Sequence, residues 1–391
     1  MKCVILGAGK IARGFLGHLL YLSNLPFVFI EKDRELVNLL KERKSYTVNV
    51  LGDSNKNCVV KNVEAICLDD EEEVVNTIGE ADLIFTAVGG KNLPSLIPLL
   101  TKGIEKRLKK QGYINIITCE NWKQPAHILE KGVKERIKME ELSQLERVGF
   151  SEAVIMRSGI EAGNELRKQD PLIVNVQDYW NLPIDESRLK GTLPNILGVE
   201  LLQEFTGFLE RKFYTYNAAN GTVSYLGALL GYTYISDAAK DERILKILEG
   251  VYLETAEALS KKHGIDLKEQ LEFTLTSKRK LQDETIVDYI ERNARDPLRK
   301  LGKDDRLVGS ARMVMEQGII PINLSLSIAA AIYYKSPGDE FARELERMRK
   351  EEGIDYILEK VCELDPSGEL ALLIKEKIVL LKQWGWIEKD E

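Results

Sequence analysis

CVILGAGKIARGFLG, Cys3 to Gly17, sets the fold of the first half of the chain. A run of apolar residues, a glycine turn and then apolar residues at helical spacing read as a buried strand, a tight turn and an amphipathic helix. Gly7 permits the turn, and Gly9 lets the backbone approach a pyrophosphate closely. Ala12 stands where a third small residue packs helix against strand. The loop Gly7, Ala8, Gly9, Lys10 and Ile11 then offers the free N–H groups of a helix start to phosphates. A second strand, PFVFIE, ends at Glu31, roughly 20 residues after the turn, where a carboxylate binds both hydroxyls of a ribose. The same carboxylate repels a 2′-phosphate, so NAD is the expected cofactor. Lys32 beside it leaves room for NADP.

Further along, ADLIFTAVGG is another strand running into a small-residue loop, with Thr86, Ala87 and Val88 to Gly90 expected beneath the nicotinamide ribose. YINIITCEN is a third such strand, ending at Asn121. Helical stretches such as LVNLLKERK and LPSLIPLLTKGIEKRL separate these runs. Together they describe a parallel sheet with helices on both faces, whose ligands bind beyond the carboxyl ends of the strands. The segment Asp53 to Val75 is irregular, and no strand is placed in it. Composition shifts near LKGTLPNILG. Beyond it the pattern reads as helix almost throughout, VELLQEFTGFLERK included. The expected architecture is an α/β Rossmann-type domain over residues 1–192 and a mostly α-helical domain over 193–391.

The 391 residues carry 55 basic and 62 acidic side chains, a net charge of −7, with 44% hydrophobic and 30% charged residues. No basic block is present to neutralise nucleic-acid phosphates. No apolar run approaches the ~20 residues of a membrane helix. Five scattered cysteines without CxxC spacing suggest reduced thiols, and with no charged leader ahead of the first strand the expectation is a cytoplasmic protein. The three histidines, His18, His127 and His263, cluster with no cysteine or carboxylate at ligand spacing, so no metal is expected. No heptad is strong enough to claim dimerisation, which leaves monomer or homodimer open.

KFYTYNAANG, Lys212 to Gly221, places one lysine and two asparagines on what reads as the start of a long helix. Alone, Lys212 reads as a surface lysine following Glu210 and Arg211. GAGKIARGFLG, RKSYTVNVLG, TAVG, NIITCEN and VGFSEAV, followed by DPLIV, LKGTLPNILGVEL, ERKFYTYN and DPLRKLGKDDRL, resemble, in that order, the polyol-specific long-chain dehydrogenases. The resemblance spans about Cys3 to about Leu307. It implies metal-independent oxidation of a secondary alcohol to a ketone with hydride passing to NAD. By family default the pair is mannitol 1-phosphate and fructose 6-phosphate. It also implies Lys212 as general base, with Asn121 and Asn217 donating hydrogen bonds to the reacting oxygen. A lysine needs its pKa lowered by roughly 2 to 3 units for that task.

Three positions depart from the family pattern: Asn220 stands where a histidine is expected, Met156 where an acidic residue precedes the arginine matched by Arg157, and Asn181 in place of a glutamate. Asn220 shares a helix face with Asn217 and can still hydrogen-bond, but it cannot carry charge. Arg157 is expected at the substrate. ARDPLRKLGKDDRL concentrates basic residues, of which Arg299, Lys300 and Arg306 are expected to grip a phosphate or carboxylate end group. A solvated face paired with Asp296, Asp304 and Asp305 is the alternative. Two other functions stay open: a sugar-acid (hexuronate-type) reductase or redox epimerase of the same fold, and a non-catalytic NAD-binding protein.

Overall fold

The computed structural model describes residues 1–160 and 162–388. The chain divides into two compact units, Met1–Phe205 and Thr206–Glu391.

The first unit is built on six parallel strands: β1 (Cys3–Leu6), β2 (Phe27–Glu31), β3 (Glu64–Cys67), β4 (Leu83–Thr86), β5 (Ile114–Thr118) and β6 (Val148–Glu152). Their order across the sheet is β3-β2-β1-β4-β5-β6, with Cys3 level with Phe27 on one side and with Leu83 on the other. This is the doubly wound order of a Rossmann sheet. Every residue of β1, β4 and β5 is buried, which explains why these strands read as continuous apolar runs rather than alternating ones. Successive side chains still part to opposite faces: Cys3 and Ile5 join one core, Val4 and Leu6 the other. The chain reverses direction across the sheet between β1 and β4, and a crevice opens there beyond the strand ends.

A four-stranded sheet, Cys58–Lys61, Ser45–Val50, Val174–Val176 and Gly159–Ile160 in spatial order, completes this unit together with a parallel pair, Leu182–Asp185 and Val199–Leu202. Two expectations change here. Asp53 to Val75 is not irregular: it holds Cys58–Lys61, β3 and the start of the helix Glu71–Glu80. VELL, Val199–Leu202, is a strand rather than the first turn of a helix, and helix begins at Phe205. Its partner strand Leu182–Asp185 supplies the backbone bonds that override an ambiguous apolar spacing.

The second unit is helical, as expected. Its core helices Ala218–Leu229 and Ile322–Ile332 are buried almost all round, with small and apolar residues on most faces and a buried hydrogen bond between Thr222 and Ser327. Asp241 caps the 22-residue helix Glu242–His263 through the N–H groups of Arg243 and Ile244, and Gly264, with φ 66°, ends it in the left-handed conformation. Helix Phe205–Lys212 does not run smoothly into Ala218–Leu229. A π-helical turn, Phe213–Asn217, lies between them. Among the described residues no helix is long and apolar enough to cross a membrane.

Candidate active site

Gly7 sits at φ +96°, and a Cβ there would fall 2.7 Å from the carbonyl oxygen of Ala87. The first turn and the loop after β4 therefore touch backbone to backbone, which only glycine allows. At Gly9 a Cβ would meet nothing within 4 Å, so that side of the turn is open. Helix begins at Lys10, and the N–H groups of its first turn have no acceptor within the helix. The crevice beside the turn has a volume of about 240 Å³ and is lined by Gly7, Gly9, Glu31, Lys32, Ala87 and Val88 among others. Open backbone at Gly9, N–H groups at a helix start and a carboxylate at the end of β2 fit the phosphate and ribose portions of a dinucleotide.

Glu31 has a further task that its sequence position did not suggest. Its Oε2 accepts from the Ala8 N–H at 2.6 Å, and its Oε1 accepts from the N–H groups of Lys32 and Asp33 at 2.8 and 3.1 Å. The carboxylate thus braces the glycine turn while remaining at the crevice wall.

Thr86 and Val88 are held by a residue the sequence reading passed over. Glu120, buried at the end of β5, accepts from the Thr86 hydroxyl at 2.6 Å and from the Val88 N–H at 3.1 Å. Burial pushes its carboxyl group up from the usual range. The Trp122 ring lies so close to Gly90 that a Cβ there would come within 2.2 Å of it. The Thr86–Gly90 loop and the Glu120–Trp122 segment therefore form one braced edge, from which Asn121 stands exposed. The signal was an acid directly following four buried apolar or small residues, Ile116 to Cys119.

Arg157 is buried, and its guanidinium donates to the Gln177 carbonyl at 2.8 Å and the Gly14 carbonyl at 3.1 Å. It lies over the rings of Trp180 and Phe15, 4.5 and 5.4 Å from their centroids, and burial lowers it to about 10. These contacts stitch the first helix to the segment around Gln177. Met156 beside it is buried, its sulfur accepting from the Tyr179 hydroxyl at 3.2 Å. Asn181 is exposed.

In the second unit the π-turn organises the remaining candidates. Lys212 precedes it and Asn217 ends it. A π-turn bonds residue i to i+5, so it stacks two residues five apart that an α-helix would turn away from each other. Asn217 and Asn220, three apart where the α-helix resumes, share its face. Neither the Lys212 amine nor the Asn217 amide has a hydrogen-bond partner among the described residues. Burial first, then the positive charges of Lys280 and Arg306, lower the Lys212 amine to about 8. Glu210, the nearest acid in sequence, is occupied by Lys262 and His263, each at 2.6 Å.

Lys280 was not anticipated. Gln270, Phe273, Ser277 and Lys280 form one stripe of helix Leu267–Leu281. Gln270 donates to the Thr215 hydroxyl at 3.0 Å, and the Phe273 and Tyr216 ring centroids are 5.1 Å apart, so this stripe packs on the π-turn. The three-and-four spacing was legible, but its target was not.

The three basic residues of the DPLRKLGKDDRL segment separate. Arg306 lies against the Lys212–Asn220 helix: its guanidinium is 5.8 Å from the Phe213 ring centroid, and a Cβ at Gly221 would be 3.4 Å from its side chain. It also bonds Asp305 at 2.9 Å. Lys300 is buried with its ammonium on the backbone carbonyls of Asn293 and Arg295, and burial lowers it to about 8. Arg299 is exposed and paired with Asp296 at 2.9 Å and Asp305 at 3.0 Å. Among the described residues no group of three or more His, Cys, Asp or Glu side chains could hold a metal ion.

Residues 1–198 match the family model of the mannitol dehydrogenase Rossmann domain, and residues 204–371 match that of the mannitol dehydrogenase C-terminal domain. The chain is 33% identical over 385 residues to a mannitol-1-phosphate 5-dehydrogenase of Clostridium acetobutylicum, covering 98% of this chain and 100% of that one. It is 32% identical over 385 residues to the enzyme of the same name from Thermoanaerobacter pseudethanolicus, covering 98% of each. Among solved structures, a substrate-free D-sorbitol dehydrogenase superposes with a TM-score of 0.81 at 15% identity, over 98% of this chain and 93% of that one. Pseudomonas fluorescens mannitol 2-dehydrogenase, in a ternary complex with NAD and D-mannitol, gives 0.71 at 15% identity, over 99% and 92%. Two family models that together cover nearly the whole chain, and relatives matched from end to end, show that this protein belongs to the mannitol dehydrogenase family of oxidoreductases.

Proposed function

We propose that the protein is an NAD-dependent dehydrogenase that interconverts a polyol phosphate and a ketose phosphate, mannitol 1-phosphate and fructose 6-phosphate, with Lys212 as general base and without a metal. The observation that carries the proposal is the Lys212 amine, lowered to about 8 and unpartnered among the described residues, one π-turn before Asn217. The names of the end-to-end relatives support the substrate pair.

When bound, NAD supplies a hydride acceptor. Gly7 to Ile11 would hold its pyrophosphate, Glu31 its ribose hydroxyls, and Thr86 to Val88, braced by Glu120, its nicotinamide end. In the oxidation direction the C–H bond of the secondary alcohol breaks as hydride leaves, and the O–H proton passes to the neutral amine of Lys212. Asn121 and Asn217 donate hydrogen bonds to the oxygen as it gains negative character, which stabilises it without competing for its proton. Arg306 neutralises the phosphate end. Reduction of the ketose runs the same steps backward from the protonated amine.

The test is turnover of fructose 6-phosphate with NADH by wild-type protein and by Lys212→Met. Turnover that falls by at least about a thousandfold in the variant is expected. A folded wild-type protein that reduces no ketose phosphate would count against the proposal, and preference for a keto acid over fructose 6-phosphate would favour the sugar-acid alternative.

A further inference from the structure

We propose that Asn293 and Asp288 lock the Asn220 amide with its carbonyl toward the substrate, so that position 220 accepts a hydrogen bond from a substrate hydroxyl. The proposal deepens the dehydrogenase reading above and rests on it for the choice of substrate.

The hydrogen bonds leave one arrangement. Nδ2 of Asn293 donates to the Asp288 carboxylate at 2.6 Å and to the Tyr289 carbonyl at 3.0 Å. An ionised carboxylate and a backbone carbonyl only accept, so the Asn293 amide cannot turn over without facing oxygen to oxygen. Its Oδ1 therefore faces Asn220 and accepts from Asn220 Nδ2 at 3.1 Å. The orientation is passed on: Asn220 turns one N–H of its amide toward Asn293, and its Oδ1 accepts from no described residue.

The relay is anchored at both ends. Lys300 holds the backbone carbonyl of Asn293. The Ile235 N–H donates to the Asp288 carbonyl and the Ile290 N–H to the Thr233 carbonyl, each at 2.9 Å. Asn220 is fixed on the helix face that carries Asn217. A carbonyl oxygen there accepts a hydrogen bond from an alcohol, whereas a second acceptor brought against it leaves both unpaired. A histidine at this position could carry charge; the asparagine cannot. The Lys300 ammonium, buried on two carbonyls, acts in this scheme as a positioning group for Asn293.

The experiment compares wild type, Asn220→Leu and Asn293→Leu in NADH-dependent reduction of fructose 6-phosphate and its 1-, 3- and 4-deoxy analogues. Wild type is expected to discriminate against one analogue by at least about tenfold in kcat/KM. Asn220→Leu should abolish that discrimination, and Asn293→Leu should reduce it severalfold, mainly through KM. Asp288→Asn keeps an accepting carbonyl and should retain most of it. Equal discrimination in all variants would overturn the proposal.

A second readout needs no turnover: hydrogen exchange of the Asn220 side-chain amide in ligand-free protein. It should be slowed at least about tenfold relative to exposed Asn181, and released in Asn293→Leu. An Asn220 amide as open as that of Asn181 would overturn the proposal whatever the enzyme reduces. Failure of wild type to reduce any ketose phosphate would instead strike at the assigned reaction, with amide exchange still deciding the orientation of Asn220.

Discussion

Lys212 and Asn217 stand five residues apart across the π-turn Phe213–Asn217, whose wider winding turns them less far from each other than an α-helix would. In an uninterrupted α-helix their side chains would diverge by more than a third of a turn. π-turns recur at functional sites because the lost regularity costs stability that only a required geometry maintains. The first helix shows the same device, with a π-helical stretch over Ala12–Gly17 directly after the glycine turn.

Replacing Lys212 should trade activity for stability. The amine lies at about 8 in the folded protein against an ordinary 10.5. At pH 7 it is charged both folded and unfolded, and the folded state bears a penalty of up to about 3 kcal/mol at ~1.36 kcal/mol per unit. Lys212→Met is therefore expected to unfold at higher urea concentration at pH 7. The gain should shrink as pH rises from about 8 toward 10.5, where the wild-type amine is neutral when folded. Urea titrations at several pH values check the sign.

Glu120→Ala removes the acceptor of the Thr86 and Val88 hydrogen bonds. A loss of about 2–3 kcal/mol in stability is expected, with NADH bound about tenfold more weakly. Glu120→Gln keeps one accepting oxygen and should lose less on both counts. Fluorescence titration with NADH and thermal melts measure the two effects.

Glu31→Ser should relax the choice between NAD and NADP. Removing a carboxylate from the ribose position is expected to shift the NADP to NAD ratio in kcat/KM by about 2 kcal/mol, roughly thirtyfold, toward NADP. Because Glu31 also holds the Ala8 N–H at 2.6 Å, affinity for both cofactors should fall. An unchanged ratio would remove Glu31 from the ribose.

Arg157→Met leaves the Gln177 and Gly14 carbonyls without a buried donor. Stability should drop by about 2–4 kcal/mol, while KM for the sugar phosphate should change little if the residue acts only through packing. A large rise in KM at unchanged stability would show the substrate contact that the resemblance implies.

What the sequence disclosed was local. The glycine turn, Glu31 at a strand end and the buried apolar strands are each encoded within a few residues. Val199–Leu202 was misread because four residues with an apolar–polar mix suit strand or helix equally, and the deciding partner lies at Leu182–Asp185. The tasks of Glu120 and Lys280 depend on neighbours 34 residues away at Thr86, or on the face a helix presents to the π-turn. Arg157 carries a family role in sequence, and its bonds to the Gly14 and Gln177 carbonyls and to the His18 ring depend on two distant segments. The relay from Asp288 through Asn293 to Asn220 joins residues 73 positions apart, and no spacing rule announces it.

The pH dependence of kcat/KM for oxidation of mannitol 1-phosphate tests the central claim most directly. A neutral Lys212 amine is the active form, so the rate should rise with unit slope up to about 8 and level off above it. Reduction of fructose 6-phosphate should show the opposite limb, falling as the amine loses its proton. An oxidation rate flat from pH 6 to 10, or a Lys212→Met variant that retains the wild-type rate and limb, would contradict Lys212 as the base.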